Sequence, residues 1–248
     1  MAKQSSIIKL EGTIGDLSFY KNRDGKYIAR RKGGVSRQRL LNDPKFQRTR
    51  ENMQEFSQAA SAAKFLKNAF REIELRSNGG KLHNRLYSAV NKVLKTDPVS
   101  PRGERRFELG DIQMMRGFEF SESAVFGEIL KKQFEVLEDE SSVTVTIEEM
   151  APSKYLISPK GSSHYRFSLI RAAVNFEGQT FKAEIQSSEF LPLDASSASA
   201  EVLTLPIPNQ ANENYFFALS LEFVEELNGE QYERRDISQN PAVIVAVV

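Results

Sequence analysis

The spacing of the apolar residues changes along this chain, and the change sets the fold class. Between residues 44 and 94, apolar side chains recur at steps of three, four and seven, which is the spacing of an amphipathic helix. After residue 140 the spacing becomes two, as where Val143, Val145 and Ile147 alternate with threonines. We therefore expect helices followed by strands, in an α+β protein.

The helical region has clear start and stop signals. Asp43-Pro44 opens it, because aspartate caps exposed N–H groups and proline at the first helical position loses no hydrogen bond. Ser77-Asn78-Gly79-Gly80 interrupts it, because adjacent glycines disfavour helix, and Asp97-Pro98 ends it. The pattern predicts a helical hairpin. The expected apolar face of its first helix comprises Phe46, Met53, Phe56, Ala60, Ala63, Leu66, Phe70 and Ile73.

Short β-prone runs flank the helices on both sides. Asp24-Gly25 between two such runs is a strong hairpin signal, so residues 5–35 are predicted to form a small β-meander. Roughly seven short strands are predicted within 141–248, with hairpin turns at Glu177-Gly178 and Asn228-Gly229. They favour an antiparallel immunoglobulin-like β-sandwich.

The net charge of +1 conceals an uneven distribution. Residues 1–106 carry 24 Lys and Arg against 10 Asp and Glu, whereas residues 107–248 carry 10 against 23. Such a split indicates a polyanionic partner, head-to-tail self-association, or two halves that neutralise each other within the fold. We predict a basic β-hairpin and helical region over 1–106, a connecting segment over 107–140, and an acidic sandwich domain over 141–248.

Four stretches together carry a resemblance to a known group of proteins. They are IKLEGTIGDLSFY at 8–20, Asp43-Pro44 with RTREN at 48–52, GSSHYR at 161–166, and FVEELNG at 223–229. The chain resembles, over nearly its whole length, an uncharacterised Bacteroidota family with an N-terminal hairpin, a helical middle and C-terminal strands. The resemblance implies a bacterial source, and it carries neither an activity nor a catalytic residue onto this sequence.

No pattern in the sequence indicates catalysis. Cysteine is absent, and the two histidines, His83 and His164, lie outside any metal-binding motif. Gly12-Thr13-Ile14-Gly15 lacks the third glycine and the following helix of a phosphate-binding loop. Adjacent carboxylates on one strand point to opposite faces and cannot converge as a glycosidase pair does. We expect no enzyme activity, no cofactor, no metal and no small-molecule substrate.

A basic segment favours nucleic acid as one partner. Its cations are interleaved with Tyr20 and Tyr27, so it could neutralise phosphates and stack on unpaired bases without reading sequence. The candidate contact residues, for a polyanion or another partner, are Lys21, Arg23, Lys26, Arg30, Arg31, Lys32, Arg37 and Arg39.

Self-association is the favoured hypothesis. The C-terminal run 241–248 is apolar at nearly every position, so it forms either an internal core strand or a strand that pairs with another subunit's sheet edge. Opposite charges on the two halves favour heterologous contacts, which close into rings or extend as filaments. The residues predicted for edge pairing are Val243, Ile244, Val245 and Val247.

We therefore predict a structural, self-assembling protein that forms homo-oligomers or filaments. A sequence-independent nucleic-acid-binding protein is the alternative, and a protein- or carbohydrate-binding module comes third. The first ten residues lack the apolar core of a signal peptide, and no apolar run approaches the roughly 20 residues of a membrane span. A cytoplasmic location without membrane attachment is expected.

Overall fold

The computed structural model describes residues 2–5, 7–31, 33–77, 81–233, 237 and 239–248. The fold is α+β, with the predicted order of N-terminal meander, helical hairpin and antiparallel strands. The chain forms two compact units, Met1–Arg50 and Glu51–Val248. Residue 106, where the charge changes sign, lies inside the larger unit.

The smaller unit contains an antiparallel sheet and one short helix. Asp24-Gly25 lies in the predicted turn, where Gly25 has a φ of +78°. Ser36 caps the helix by accepting a hydrogen bond from the backbone N–H of Arg39. The strands are β1 (Ala2–Lys3), β2 (Gly12–Ile14), β3 (Leu17–Lys21) and β4 (Tyr27–Arg31), in the order β1-β4-β3-β2, and the helix is α1 (Arg37–Asn42).

The helical region begins as its signals predict. Asp43 accepts a hydrogen bond from the backbone N–H of Lys45 and opens a 3-10 turn at Pro44–Phe46. The following helices are α2 (Gln47–Ala69), α3 (Arg71–Arg76) and α4 (Leu82–Leu94). The predicted break between α3 and α4 falls on Asn78–Gly80, which lie outside the described residues.

Part of the predicted apolar face of α2 is wrong. Met53 and Phe56 are 53% and 58% exposed. Glu55 faces inward between them, where it binds a polar loop instead of the apolar core. Because successive helical residues are about 100° apart, its neighbours turn toward solvent. The buried face beyond this point comprises Ala59, Ala62, Ala63, Leu66 and Ala69, and it continues at Phe70 and Ile73.

The remaining strands form two antiparallel sheets. One has the order β10-β6-β5, and the other has the order β12-β11-β7-β8, with β13 also paired to β11 and β9 to β7. The predicted connecting segment 107–140 contains α5 (Phe126–Ile129) and β5 (Phe134–Glu138); α6 is Pro152–Tyr155. The other strands are β6 (Ser142–Ile147), β7 (His164–Asn175), β8 (Thr180–Ser187), β9 (Leu191–Pro192), β10 (Glu201–Pro206), β11 (Asn214–Leu227), β12 (Glu230–Glu233) and β13 (Ala242–Val247).

Strands β7, β11 and β13 are covered on both faces. Phe167 and Phe217 face a core shared with the β10-β6-β5 sheet. Ala172 and Phe216 face a second core, shared with α2, α3 and α4. The helices, the sheet that contains β7, β11 and β13, and the β10-β6-β5 sheet thus form three layers within residues 51–248. This arrangement explains why these strands are apolar at successive positions.

Of the two alternatives for the run 241–248, the structure matches the internal core strand, and β13 has no open edge. One edge pairs with β11, and the other is occupied by the segment 117–120. Gly117 N–H donates to the carbonyl of Ile244 at 2.8 Å, and Phe120 N–H donates to that of Ala242 at 2.8 Å. Val243, Ile244, Val245 and Val247 are all buried.

Among the helices that the structure describes, none has both the length and the apolarity needed to cross a bilayer.

Candidate binding sites

The N-terminal sheet has an apolar face, yet no described residue in 2–50 is buried. The strand register places Ile14, Leu17, Phe19, Tyr27 and Ala29 on that face, with Lys21 and Arg31 at its ends. Ile14 is 61% exposed and Leu17 is 44% exposed. A sheet of such short strands needs a packed face for stability, so this face has the character of a contact surface.

The candidate cations are spread over this unit rather than gathered on one face. Arg30 and Arg31 point to opposite faces of β4, and Lys32 lies outside the described residues. The side chains of Arg30 and Lys21 lie over the rings of Tyr20 and Tyr27, at 5.4 and 5.6 Å from the ring centroids. The others lie in the β3–β4 turn, where Arg23 and Lys26 are exposed, and in α1, which carries Arg37 and Arg39.

Few of these cations are neutralised. Among the described residues of the range 2–50, one ion pair is formed, between Arg39 and Asp43 at 3.2 Å. Within the larger unit, by contrast, ion pairs Arg76–Glu222 and Arg106–Glu177, at 4.0 and 3.9 Å, join the basic and acidic halves of the sequence. Much of the basic charge of the smaller unit therefore remains available to a partner.

A cleft of about 360 Å³ lies in the larger unit, between α2, the segment 104–108 and the β7–β8 turn. Its inner wall is aromatic, since Phe107 packs edge-on against Phe176 with ring centroids 4.9 Å apart. Polar side chains surround this wall. The lining residues are Ser57, Gln58, Ser61, Ala62, Phe65, Glu104, Arg106, Phe107, Glu108, Phe176 and Gln179.

The loop 98–106 is held in place by two buried carboxylates. Glu55 of α2 accepts a hydrogen bond from the backbone N–H of Gly103 at 3.0 Å and pairs with Arg105 at 3.8 Å. Asp97 accepts from the backbone N–H of Val99 at 2.8 Å and of Arg106 at 3.0 Å. These contacts bring the segment that follows the loop alongside α2 and so form the cleft.

Asp97 is ionised in this setting. Burial raises the pKa of its carboxyl, but hydrogen bonds from the backbone N–H groups of Arg106, Val99 and Ser100 outweigh burial and lower the pKa to about 2. The charged carboxylate therefore keeps its hydrogen bonds to the loop throughout the neutral pH range.

The rim of the cleft carries an excess of negative charge. The guanidinium of Arg106 donates to Glu108 at 2.7 Å and lies 3.9 Å from Glu177. Glu104, a third carboxylate, is exposed at the mouth. The rim thus has three carboxylates and one guanidinium, so the site favours a cation. Glu55, an acidic residue within an otherwise apolar helical pattern, is the sequence signal that could have revealed this loop contact.

The structure also brings His164 between a hydroxyl and a carboxylate. Its Nδ1 lies 3.0 Å from Ser163 Oγ, and its Nε2 lies 3.4 Å from Glu226. Ser163 Oγ also accepts a hydrogen bond from the backbone N–H of Glu226 at 2.7 Å. These contacts join the start of β7 to β11. His83, in contrast, is exposed on α4.

Glu119 lies in the segment that covers β13 and has a shifted pKa. Burial raises the pKa of its carboxyl to about 7, although the backbone N–H of Phe126 and the charge of Arg85 act in the opposite direction. The Phe126 N–H lies 3.2 Å from both carboxylate oxygens. The folded protein therefore retains a proton that the unfolded chain loses near its ordinary pKa of 4.5.

This shift predicts a pH-dependent stability. Because the unfolded state ionises first, Glu119 stabilises the fold below pH 4.5, and this contribution is lost as the pH rises to about 7. Glu119→Gln should match the wild type in urea denaturation at low pH and exceed its free energy of unfolding by about 2 kcal/mol at pH 8, after allowance for partial exposure. A constant difference across this range would contradict the assignment.

Comparison with models of known protein families gives no match, and comparison with curated protein sequences gives none either.

Proposed function

We propose that this chain is a non-enzymatic structural protein that self-associates, with the smaller unit of one copy docking on the larger unit of another. The supporting observation is the N-terminal sheet, whose apolar face has no buried side chain among the described residues. Burial of that face against a second copy would remove apolar surface from water and stabilise both the sheet and the contact.

Charge supports a second copy as the occupant. Residues 1–50 carry 13 Lys and Arg against 4 Asp and Glu, a net of +9, and residues 51–248 carry 21 against 29, a net of −8. Complementary potentials steer association and disfavour wrong pairings. A contact between unlike surfaces repeats from copy to copy, so it builds a ring or a filament.

Strand addition at the N-terminal sheet, instead of at β13, can contribute to the contact between copies. Strands β1 and β2 are the outer strands of the order β1-β4-β3-β2, and outer strands can pair with an incoming strand. Sheet pairing would fix the register of the contact, while charge would fix its direction. The Bacteroidota resemblance and the cytoplasmic location stay predictions.

The proposal is tested by the mass of the full chain in light scattering, measured over a range of concentrations. At about 50 mM salt, where exposed charges are weakly screened, we expect a mass above the 28.1 kDa of one chain. The mass should fall toward 28.1 kDa near 1 M salt, where the Debye length is only about 3 Å. A monomer under every condition would contradict self-association.

Nucleic-acid binding is a second candidate, supported by the unpaired cations of the smaller unit. Lys21, Arg23, Lys26, Arg30 and Arg31 form no ion pair with any described residue. Each phosphate contact would release a counterion, so binding should weaken steeply with salt. A gel shift with random single- and double-stranded DNA and RNA at about 50 mM salt tests this candidate, and the absence of any shift would reject it.

A further inference from the structure

We propose that the cleft beside α2, whose rim is acidic, receives the β3–β4 turn of another copy. The side chains of Arg23 and Lys26 would enter it. This inference rests on the proposed self-association and names the two surfaces that meet. The donor surface belongs to the smaller unit, and the acceptor surface belongs to the larger one.

The cleft has the chemistry that an arginine side chain requires. A guanidinium is planar, stacks on aromatic rings and forms paired hydrogen bonds with carboxylates. The half-buried rings of Phe65 and Phe176 supply aromatic surface in the wall, with the buried ring of Phe107 behind them. Glu104 and Glu108 supply carboxylates at the rim.

The dimensions of the cleft favour side chains over a larger ligand. Its volume of about 360 Å³ is near the lower end of the range of about 300–1,000 Å³ for small-molecule pockets. One or two long basic side chains fit this space, whereas a whole hairpin does not. The turn would therefore rest on the mouth of the cleft and insert only its side chains.

The β3–β4 turn is suited to this role by its charge and its rigidity. Lys21 at the end of β3 and Arg23 and Lys26 in the turn outnumber Asp24, so residues 21–26 carry a net charge of +2. The Asn22 side chain accepts a hydrogen bond from the backbone N–H of Lys26 at 2.8 Å, and Gly25 N–H donates to the Asn22 carbonyl at 3.0 Å. A turn that is already ordered loses little entropy on binding.

The charges of the two surfaces match. Glu104, Glu108 and Glu177 against Arg106 give the cleft rim a net charge of −2, equal and opposite to that of residues 21–26. Since donor and acceptor are different surfaces, each copy can receive one neighbour and engage another. The contact is heterologous and propagates unless it closes into a ring.

The test uses two full-length variants, each lacking one surface. The acceptor variant is Glu104→Gln/Glu108→Gln, and the donor variant is Arg23→Gln/Lys26→Gln. In light scattering at about 50 mM salt, each variant alone should show a dissociation constant at least roughly tenfold above that of the wild type. A matched control, Glu189→Gln/Glu225→Gln, removes two exposed carboxylates elsewhere and should associate like the wild type.

A mixture of the two variants gives the decisive result. The acceptor variant retains its turn and the donor variant retains its cleft, so an equal mixture should form a dimer of twice the 28.1 kDa chain mass and nothing larger. Circular dichroism and thermal unfolding verify that each variant is folded. If the acceptor variant associates as tightly as the wild type, this inference is overturned, but the proposed self-association still stands. A wild type that stays monomeric would overturn both proposals.

Discussion

Replacement of Glu222 by glutamine is expected to lower the free energy of unfolding by about 3 kcal/mol. Glu222 is buried on β11, where it accepts hydrogen bonds from Arg166 Nε and Nη2 at 3.2 and 2.6 Å. Arg76, at the end of α3, lies 4.0 Å away. Loss of the carboxylate leaves Arg166 without its counter-charge in a largely buried setting, whereas Arg76 keeps its ion pair with Glu72 at 3.5 Å. Urea denaturation at neutral pH measures the loss.

A neighbouring acidic residue provides the control for this prediction. Glu225 is exposed on the same strand, so Glu225→Gln should change the stability by less than about 0.5 kcal/mol. Arg166→Leu/Glu222→Leu should recover part of the loss, because an apolar pair removes both buried charges together. Equal effects of Glu222→Gln and Glu225→Gln would show that the ion pair does not stabilise the fold.

Replacement of Gly110 by alanine is expected to destabilise the protein by about 2–3 kcal/mol. A Cβ atom at this position would overlap the carbonyl oxygen of Val93 and lie 2.9 Å from Thr96 Oγ1. Val93 lies in the last turn of α4 and Thr96 follows the helix, where it accepts a hydrogen bond from the backbone N–H of Asp111 at 2.7 Å. The clash would push the segment 107–111 away from the helix that supports it. Thermal unfolding and urea denaturation measure the effect.

Gly127 is the matched control for Gly110. It lies in α5, and an added Cβ would meet no atom within 4 Å. Gly127→Ala should therefore be neutral or slightly stabilising, since alanine has the higher helix propensity. A Gly110→Ala variant as stable as Gly127→Ala would mean that the contact with α4 is not tightly packed.

Local sequence signals predicted the elements of the fold well. Asp43-Pro44 opens the helical region, Asp24-Gly25 makes a hairpin turn, and Leu66, Phe70 and Ile73 of the predicted apolar face are buried. These features depend on residues close in sequence, where capping, turn geometry and apolar spacing act directly. The strand spacing after residue 140 likewise predicted the antiparallel sheets.

The errors arose where distant and irregular segments meet. Apolar spacing left open whether β13 is an internal or an edge strand, because residues 117–120 cover it with backbone hydrogen bonds that have no signature in that spacing. The cleft was missed because it forms only when Glu55 binds a loop nearly fifty residues away. Met53 was misplaced for the same reason. Contacts through buried polar groups follow no periodic pattern, so sequence alone did not reveal them.

Cross-linking between isotopically distinct copies tests the central claim most directly. Full-length chains labelled with ¹⁴N and ¹⁵N are mixed at about 50 mM salt and treated with a carbodiimide, which joins lysine amines to carboxylates in direct contact. Docking between copies predicts mixed-isotope peptides that link Lys21 or Lys26 to Glu104, Glu108 or Glu177. The claim would be contradicted if these lysines formed cross-links only between peptides that carry the same isotope.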